Sequence, residues 1–188
     1  MTKFLIALFS ILTFQSFAQT MNDETLPYYE IPDYDEAYTA ASVAARMIDG
    51  LGFRYYWATE GLRPEDLAYK TIESARTSDE TIEHLYGLSK FIRNSILESN
   101  KDANKAELSF EDKRKKTLEN LKLVSEVLRR KDNPFNLEET EIPFWNLING
   151  PISDALWHCG QIVAFRRASG NPFTSNVSLF SGKIKNKS

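Results

Sequence analysis

What most restricts this chain is the recurrence of apolar residues every three or four positions, four times over. Ala41, Ala44, Ile48, Leu51 and Tyr55 follow that spacing within residues 34–61, and Leu85, Leu88, Phe91, Ile92 and Ile96 follow it as far as Leu97. Leu118, Leu121, Val124 and Leu128 make a third stripe, and the run ISDALWHCGQIVAFRR, Ile152 to Arg167, reads as a fourth. Residues so spaced share one face of a helix with 3.6 residues per turn, and no convincing run alternates with the period of two that a half-buried strand requires. Four amphipathic helices with no strand run predict an all-α fold, a four-helix bundle.

Local signals place the helix ends. Thr77 and Glu80 stand three apart as a capping box does, and Ser109 with Asp112 repeats the arrangement before the third helix. Arg129, Arg130 and Lys131 fall in that helix's last turn, where cations meet the dipole favourably. Gly50 and Gly52 each cost about 1 kcal/mol relative to alanine in a helix interior; a kink, or close approach by a neighbouring helix, accounts for them. Residues 132–149 are broken by proline and rich in aromatics, so Phe135, Phe144, Trp145 and Leu147 are expected to close one end of the bundle. Gly150 and Pro151 open the fourth helix, and Gly170-Asn171-Pro172 stops it. In the tail, Val177, Leu179 and Ile184 suggest a short extended strap. The connector from Glu98 to Leu108, at roughly 3.3 Å per extended residue, is long enough to run the length of a helix. Helices two and three are then parallel neighbours joined by a crossover, or else antiparallel ones joined by a loose loop.

The chain begins MTKFLIALFSILTFQSFAQT, with one lysine before an apolar stretch and the small-residue pattern Ser16-Phe17-Ala18 after it. This reads as a secretory signal peptide cleaved between Ala18 and Gln19. Its apolar core is shorter than the ~20 residues of a spanning helix. The expectation is an exported protein, periplasmic or extracellular, without a stable membrane anchor: residues 1–18 the signal, 19–39 an irregular arm lying across the domain rather than forming part of its core, and 40–185 the helical domain. Against 23 basic side chains the chain carries 26 acidic ones, and no basic stripe is present. That balance argues against nucleic acid as a partner. Cys159 is the only cysteine, so stability must come from packing rather than cross-links.

Only two histidines occur, His84 and His158. Asp154 and His158, four apart, project from the same face of the fourth helix, with Gln161 one turn further along. Two ligand-competent side chains at i and i+4 can hold a metal from one helix, the third ligand coming from elsewhere. His84 is the only other histidine, on a face shared with Leu88 and Phe91. Spacing alone leaves a second reading open, in which each imidazole hydrogen-bonds a neighbouring carboxylate or carbonyl within the core.

Taken in order, RYYWATEGLRPEDLAYK, TIEHLYGLSKFIRNSI and PISDALWHCGQIVAFRRASGN resemble the DinB-like superfamily, whose last core helix carries a histidine followed by one residue and Gly-Gln, here His158-Cys159-Gly160-Gln161. The resemblance runs from about Ala41 to Lys183. It implies a four-helix bundle in up-down-down-up order, a divalent metal (zinc, manganese, iron or nickel) and a homodimer formed through a bundle face. Of the family's three metal-binding histidines, His84 and His158 match two, while the position four before the last holds Asp154. A carboxylate there completes a two-histidine, one-carboxylate set, or else its presence marks a site that has decayed. Gln161 stands behind the ligands or serves packing.

The activities so implied are those of a metal-dependent hydrolase or thiol transferase acting on a small molecule, with an open coordination position at which a water or thiol loses its proton. Export weighs against the transferase, because low-molecular-weight thiol cofactors are mainly cytosolic. Glu80, Glu83 and Tyr86 lie near His84, but no spacing identifies a catalytic acid or base. The alternative is a secreted binding or structural bundle without metal. Cys159 and Trp157 are expected in the core, and Arg166 and Arg167 beside the dipole or acids such as Glu60.

Overall fold

The computed structural model describes residues 25–97, 107–132 and 134–185. The expected signal peptide and most of the Glu98–Leu108 connector lie outside them. The described chain is mostly helical: α1 (Ala40–Thr59), α2 (Pro64–Leu67), α3 (Ser78–Leu97), α4 (Phe110–Leu128), α5 (Phe144–Leu147) and α6 (Ser153–Ala168), with a π-helical turn (Ile148–Ile152) joining the last two. Strands β1 (Val177–Ser178) and β2 (Lys183–Ile184) pair antiparallel, Val177 opposite Ile184. Among the described residues no helix is long and apolar enough to cross a membrane.

The long helices α1, α3 and α4 begin where polar side chains satisfy their first amides. Thr77 and Glu80 exchange the two bonds of a capping box, and Ser109 Oγ accepts from the Asp112 amide. Another box, not anticipated, joins Thr39 and Ser42 at the head of α1. Both α1 and α3 pack against α4 and against α6. Between them lie Ile48, Leu51 and Tyr55 of α1, Ile82, Leu85 and Ile92 of α3, Leu118, Leu121 and Leu128 of α4, and Ile152 with Ile162 beside or within α6. Each such aliphatic side chain contributes about 1.5–3 kcal/mol by leaving water.

Polar contacts tie particular helix ends together. Lys113, near the start of α4, donates to Asp79 at the start of α3 over 3.0 Å, and further along Asn120 donates to Ser89 over 3.1 Å. Arg114 donates to Thr59 Oγ1 and to Glu60 at the end of α1. At the opposite end of α4, Arg129 reaches back to Asp35 and to the fully buried Asp49. Arg129 is therefore a clamp between α4, α1 and the arm rather than a solvated dipole partner.

Several expectations need correction. The arm supplies core residues: Tyr28 joins the main core, and Ile31 packs with Phe53, Trp57 and Val177 in a smaller cluster. A Cβ built on Gly52 would lie 2.4 Å from the Tyr28 ring, so Gly52 admits the arm and not a neighbouring helix. Gly182 does the same at the tail. It has φ +69, its carbonyl accepts from the Ile31 amide at 2.8 Å, and a Cβ there would strike Ile31. The last helix starts earlier than Gly150, because α5 and the π-turn already coil from Phe144. Pro151 has no N–H to continue the ladder and Gly150 leaves helical geometry at ψ −105, so the turn widens. Phe144 and Leu147 are buried as expected, but Trp145 is exposed.

Arg166 is nearly buried and turns away from its own helix. Its guanidinium donates to the Trp57 and Ala58 carbonyls, at 3.0 and 3.2 Å, near the end of α1. Those carbonyls have no partner within their own helix, and the cation answers them. Glu60 pairs with Arg114 instead.

Candidate metal centre

The site is built from the facing sides of α3 and α6. Buried Leu85, Ile92 and Ile96 hold α3 against the core, and His84, one residue before Leu85, comes out at the edge facing α6. Ala155, Cys159, Ile162 and Arg166 are the buried stripe of α6, with Asp154 and His158 each one residue earlier, on the flank toward α3. Both helices thus present polar side chains along a seam whose apolar neighbours fix its register.

Across that seam the Asp154 carboxylate bridges the two rings. His84 Nε2 is 3.1 Å from Oδ2 and His158 Nε2 is 3.4 Å from Oδ1, while the imidazoles meet edge to face with centroids 4.7 Å apart. One ligand atom from each of the three side chains falls within 4.8 Å of the other two. Around a single ion with bonds of about 2.0–2.1 Å, neighbouring ligand atoms stand about 3.3 Å apart in a tetrahedron; each imidazole meets its own Asp154 oxygen near that spacing, and the set of three must draw in from 4.8 Å to share one ion. The His84, Asp154 and His158 side chains are 34%, 45% and 15% exposed, which leaves the group reachable from solvent.

Gln161 stands where it can orient His158. Its Oε1 lies 2.7 Å from Nδ1, and an amide oxygen only accepts, so Nδ1 carries a proton and Nε2 is the ring nitrogen turned toward Asp154. A metal-ligating histidine commonly donates from one ring nitrogen in this way while the other binds the ion. The residues fit a divalent ion: two imidazoles and one carboxylate suit zinc, manganese, iron or nickel.

Neighbouring groups have other engagements. Glu80 caps α3, and Glu83 lies 3.6 Å from the Lys113 ammonium. Tyr86 carries the Lys90 ammonium 4.5 Å from its ring centre. Burial pushes the Cys159 thiol up to about 12, which makes it a packing residue and no ligand. Trp157, expected in the core, is 75% exposed. The spacing held the signal: Trp157 is two residues from Ala155 and Cys159, roughly 200° around the helix from either, and so cannot share their buried stripe. The π-turn that sets the register of Asp154 was also missed, although Pro151 seven residues into a helical stretch is the kind of residue that forces one. Compared with protein-family models, with curated proteins and with solved structures, the chain matches none.

Proposed function

We propose that the chain is an exported helical protein that binds one divalent metal through His84, Asp154 and His158 and uses it on a small-molecule substrate. The observation that carries this reading is the convergence of three ligand-competent side chains from two helices, with Gln161 holding the His158 ring by its Nδ1. A metal so held supplies Lewis acidity and lowers the pKa of a coordinated water or thiol toward neutrality. Of the two activities that the DinB-like resemblance brings, metal-assisted hydrolysis is preferred, since export would separate a transferase from cytosolic thiols. His84, Asp154 and His158 serve to bind, and Gln161 to hold the His158 ring in place.

The proposal extends to the architecture, a four-helix bundle in up-down-down-up order formed by α1, α3, α4 and α6. The packing of α1 and α3 each against α4 and α6 supports it. So do the end contacts: Lys113 with Asp79 joins the starts of α3 and α4, Arg114 with Glu60 joins the start of α4 to the end of α1, and Arg166 joins the ends of α6 and α1. A homodimer remains an expectation from the same resemblance.

One contact favours the second reading, a secreted binding or structural bundle without metal. The 3.1 Å approach of His84 to Asp154 satisfies both groups by itself. Metal content separates the two. Protein purified without an affinity tag, dialysed against zinc, manganese or iron(II) and analysed by plasma mass spectrometry, should carry near one equivalent, lost in both His84→Ala and Asp154→Ala. No metal in the wild type after that dialysis would favour the structural bundle.

A further inference from the structure

Beyond the three candidate ligands the seam between α3 and α6 continues as an open groove. Its walls are Leu88 and Phe91 of α3, Gly150 and Pro151 of the π-turn, and Asp154 and Trp157 of α6. Leu88 is one turn past His84 and Asp154 one turn before His158, so the groove begins where the ligands end. Asp154 belongs to both.

The lining defines what fits. Phe91 is 47% and Trp157 75% exposed, two aromatic surfaces held open on either side of the seam. A Cβ added at Gly150 would meet nothing within 4 Å, so the π-turn leaves the floor open. Among the described residues the only charged side chain along the groove is Asp154, whose oxygens already face the two imidazoles. The other polar side chains of the described lining, Asn149 and Ser153, are neutral, and the Ser153 hydroxyl donates to the Ile148 carbonyl, so no cation lines the groove among the described residues. Its space, about 720 Å³, falls in the range of small-molecule sites.

We propose that this groove receives the apolar portion of the metal centre's substrate. The substrate class is a small uncharged-tailed molecule, with a metal-binding oxygen or sulfur group at one end and an alkyl or aromatic portion lying on Phe91 and Trp157. The inference rests on the metal reading above and adds the substrate class to it.

Two zinc-chelating probes of different tail length test it, acetohydroxamate and octanohydroxamate, titrated calorimetrically into zinc-loaded full chain whose zinc content is measured on the same sample. Burying several methylenes should make octanohydroxamate bind on the order of tenfold tighter or more. Phe91→Ala and Trp157→Ala, both at exposed positions, should bring that ratio toward unity while leaving the zinc equivalent and the acetohydroxamate affinity unchanged. One zinc equivalent with equal affinities for the two probes, or a ratio that neither variant alters, overturns the groove assignment and leaves the metal centre standing. Absence of zinc overturns the metal reading and this inference with it. A wild-type dimer in sedimentation that Trp157→Ala converts to monomer would assign the face to a second copy of the chain and overturn the inference on its own.

Discussion

Gln161 Oε1 accepts from His158 Nδ1 across 2.7 Å, one turn apart on α6, and this bond aims the other ring nitrogen at Asp154. Gln161→Leu removes the acceptor and frees the ring to change tautomer. Zinc affinity, measured by competition with a chelating dye, should fall about 10- to 100-fold with one equivalent still bound at saturation. Gln161→Glu keeps an acceptor and should recover most of the loss. Unchanged affinity in the leucine variant would remove Gln161 from any role at the metal.

The close approach of Tyr28 to Gly52 makes a stability prediction. Tyr28 has φ +72, and its ring occupies the space that a Cβ on residue 52 would take. Gly52→Ala should therefore destabilise the protein by about 1–3 kcal/mol, although alanine is the better helix former. Urea denaturation of Gly52→Ala, Tyr28→Ala and the double variant should give a total loss well below the sum of the single losses. Strict additivity would dissociate the two residues.

Arg129 and Asp49 form a one-sided dependence. Asp49 is fully buried on α1, and its partners are the Ser125 hydroxyl at 2.6 Å and the Arg129 guanidinium at 2.6 Å. Arg129→Ala leaves that carboxylate buried without its cation and should cost about 3–5 kcal/mol. Asp49→Asn in the same background should return part of that loss, as the uncompensated charge disappears. Chemical denaturation of the three proteins reads both effects.

Asp66 sets an acid limit. Its buried carboxylate accepts from the Arg63 guanidinium and amide, from Ser169 and from Asn171. The Arg63 side chain first, with Ser169, the Arg63 backbone and Asn171 adding to it, holds the carboxyl well below the usual carboxylate range against the opposing effect of burial. A group whose folded pKa is depressed stabilises the fold fully above its unfolded value, near pH 4, and loses that contribution as pH falls toward the folded value. Asp66→Asn should thus cost about 1–3 kcal/mol at pH 7, and the gap to wild type should narrow steadily below about pH 4. Urea midpoints at pH 7, 4 and 3 measure it, and a constant gap would refute the linkage.

Arg166 offers a check on the end of α1. Replacing it by Ala leaves the Trp57 and Ala58 carbonyls without their donor and should destabilise by about 2 kcal/mol or more. Arg166→Lys should recover only part of this, since one ammonium cannot also reproduce the guanidinium's bond to the Asn171 carbonyl. Hydrogen exchange at the end of α1 should quicken in both.

What could be read from the chain alone was whatever depends on near neighbours. Apolar spacing located the four long helices, Thr77 with Glu80 and Ser109 with Asp112 marked two starts, and four-residue spacing put Asp154 and His158 on one flank. These follow from the helical repeat and from side chains that reach only three or four residues.

Tertiary packing decided the rest, because distance along the chain carries no information about axial register. Whether His84 reached Asp154, 70 residues away, depended on how α3 slid against α6. That register rests on buried Leu85, Ile92, Ala155 and Ile162 and on the widened turn at Gly150 and Pro151. Likewise Gly52 looked like a weakness in α1 until the arm was seen to fill it with Tyr28, and Arg166 looked like a dipole partner of its own helix until it met the carbonyls of another. A helical period tells which residues lie side by side; only the folded chain sets what lies opposite them.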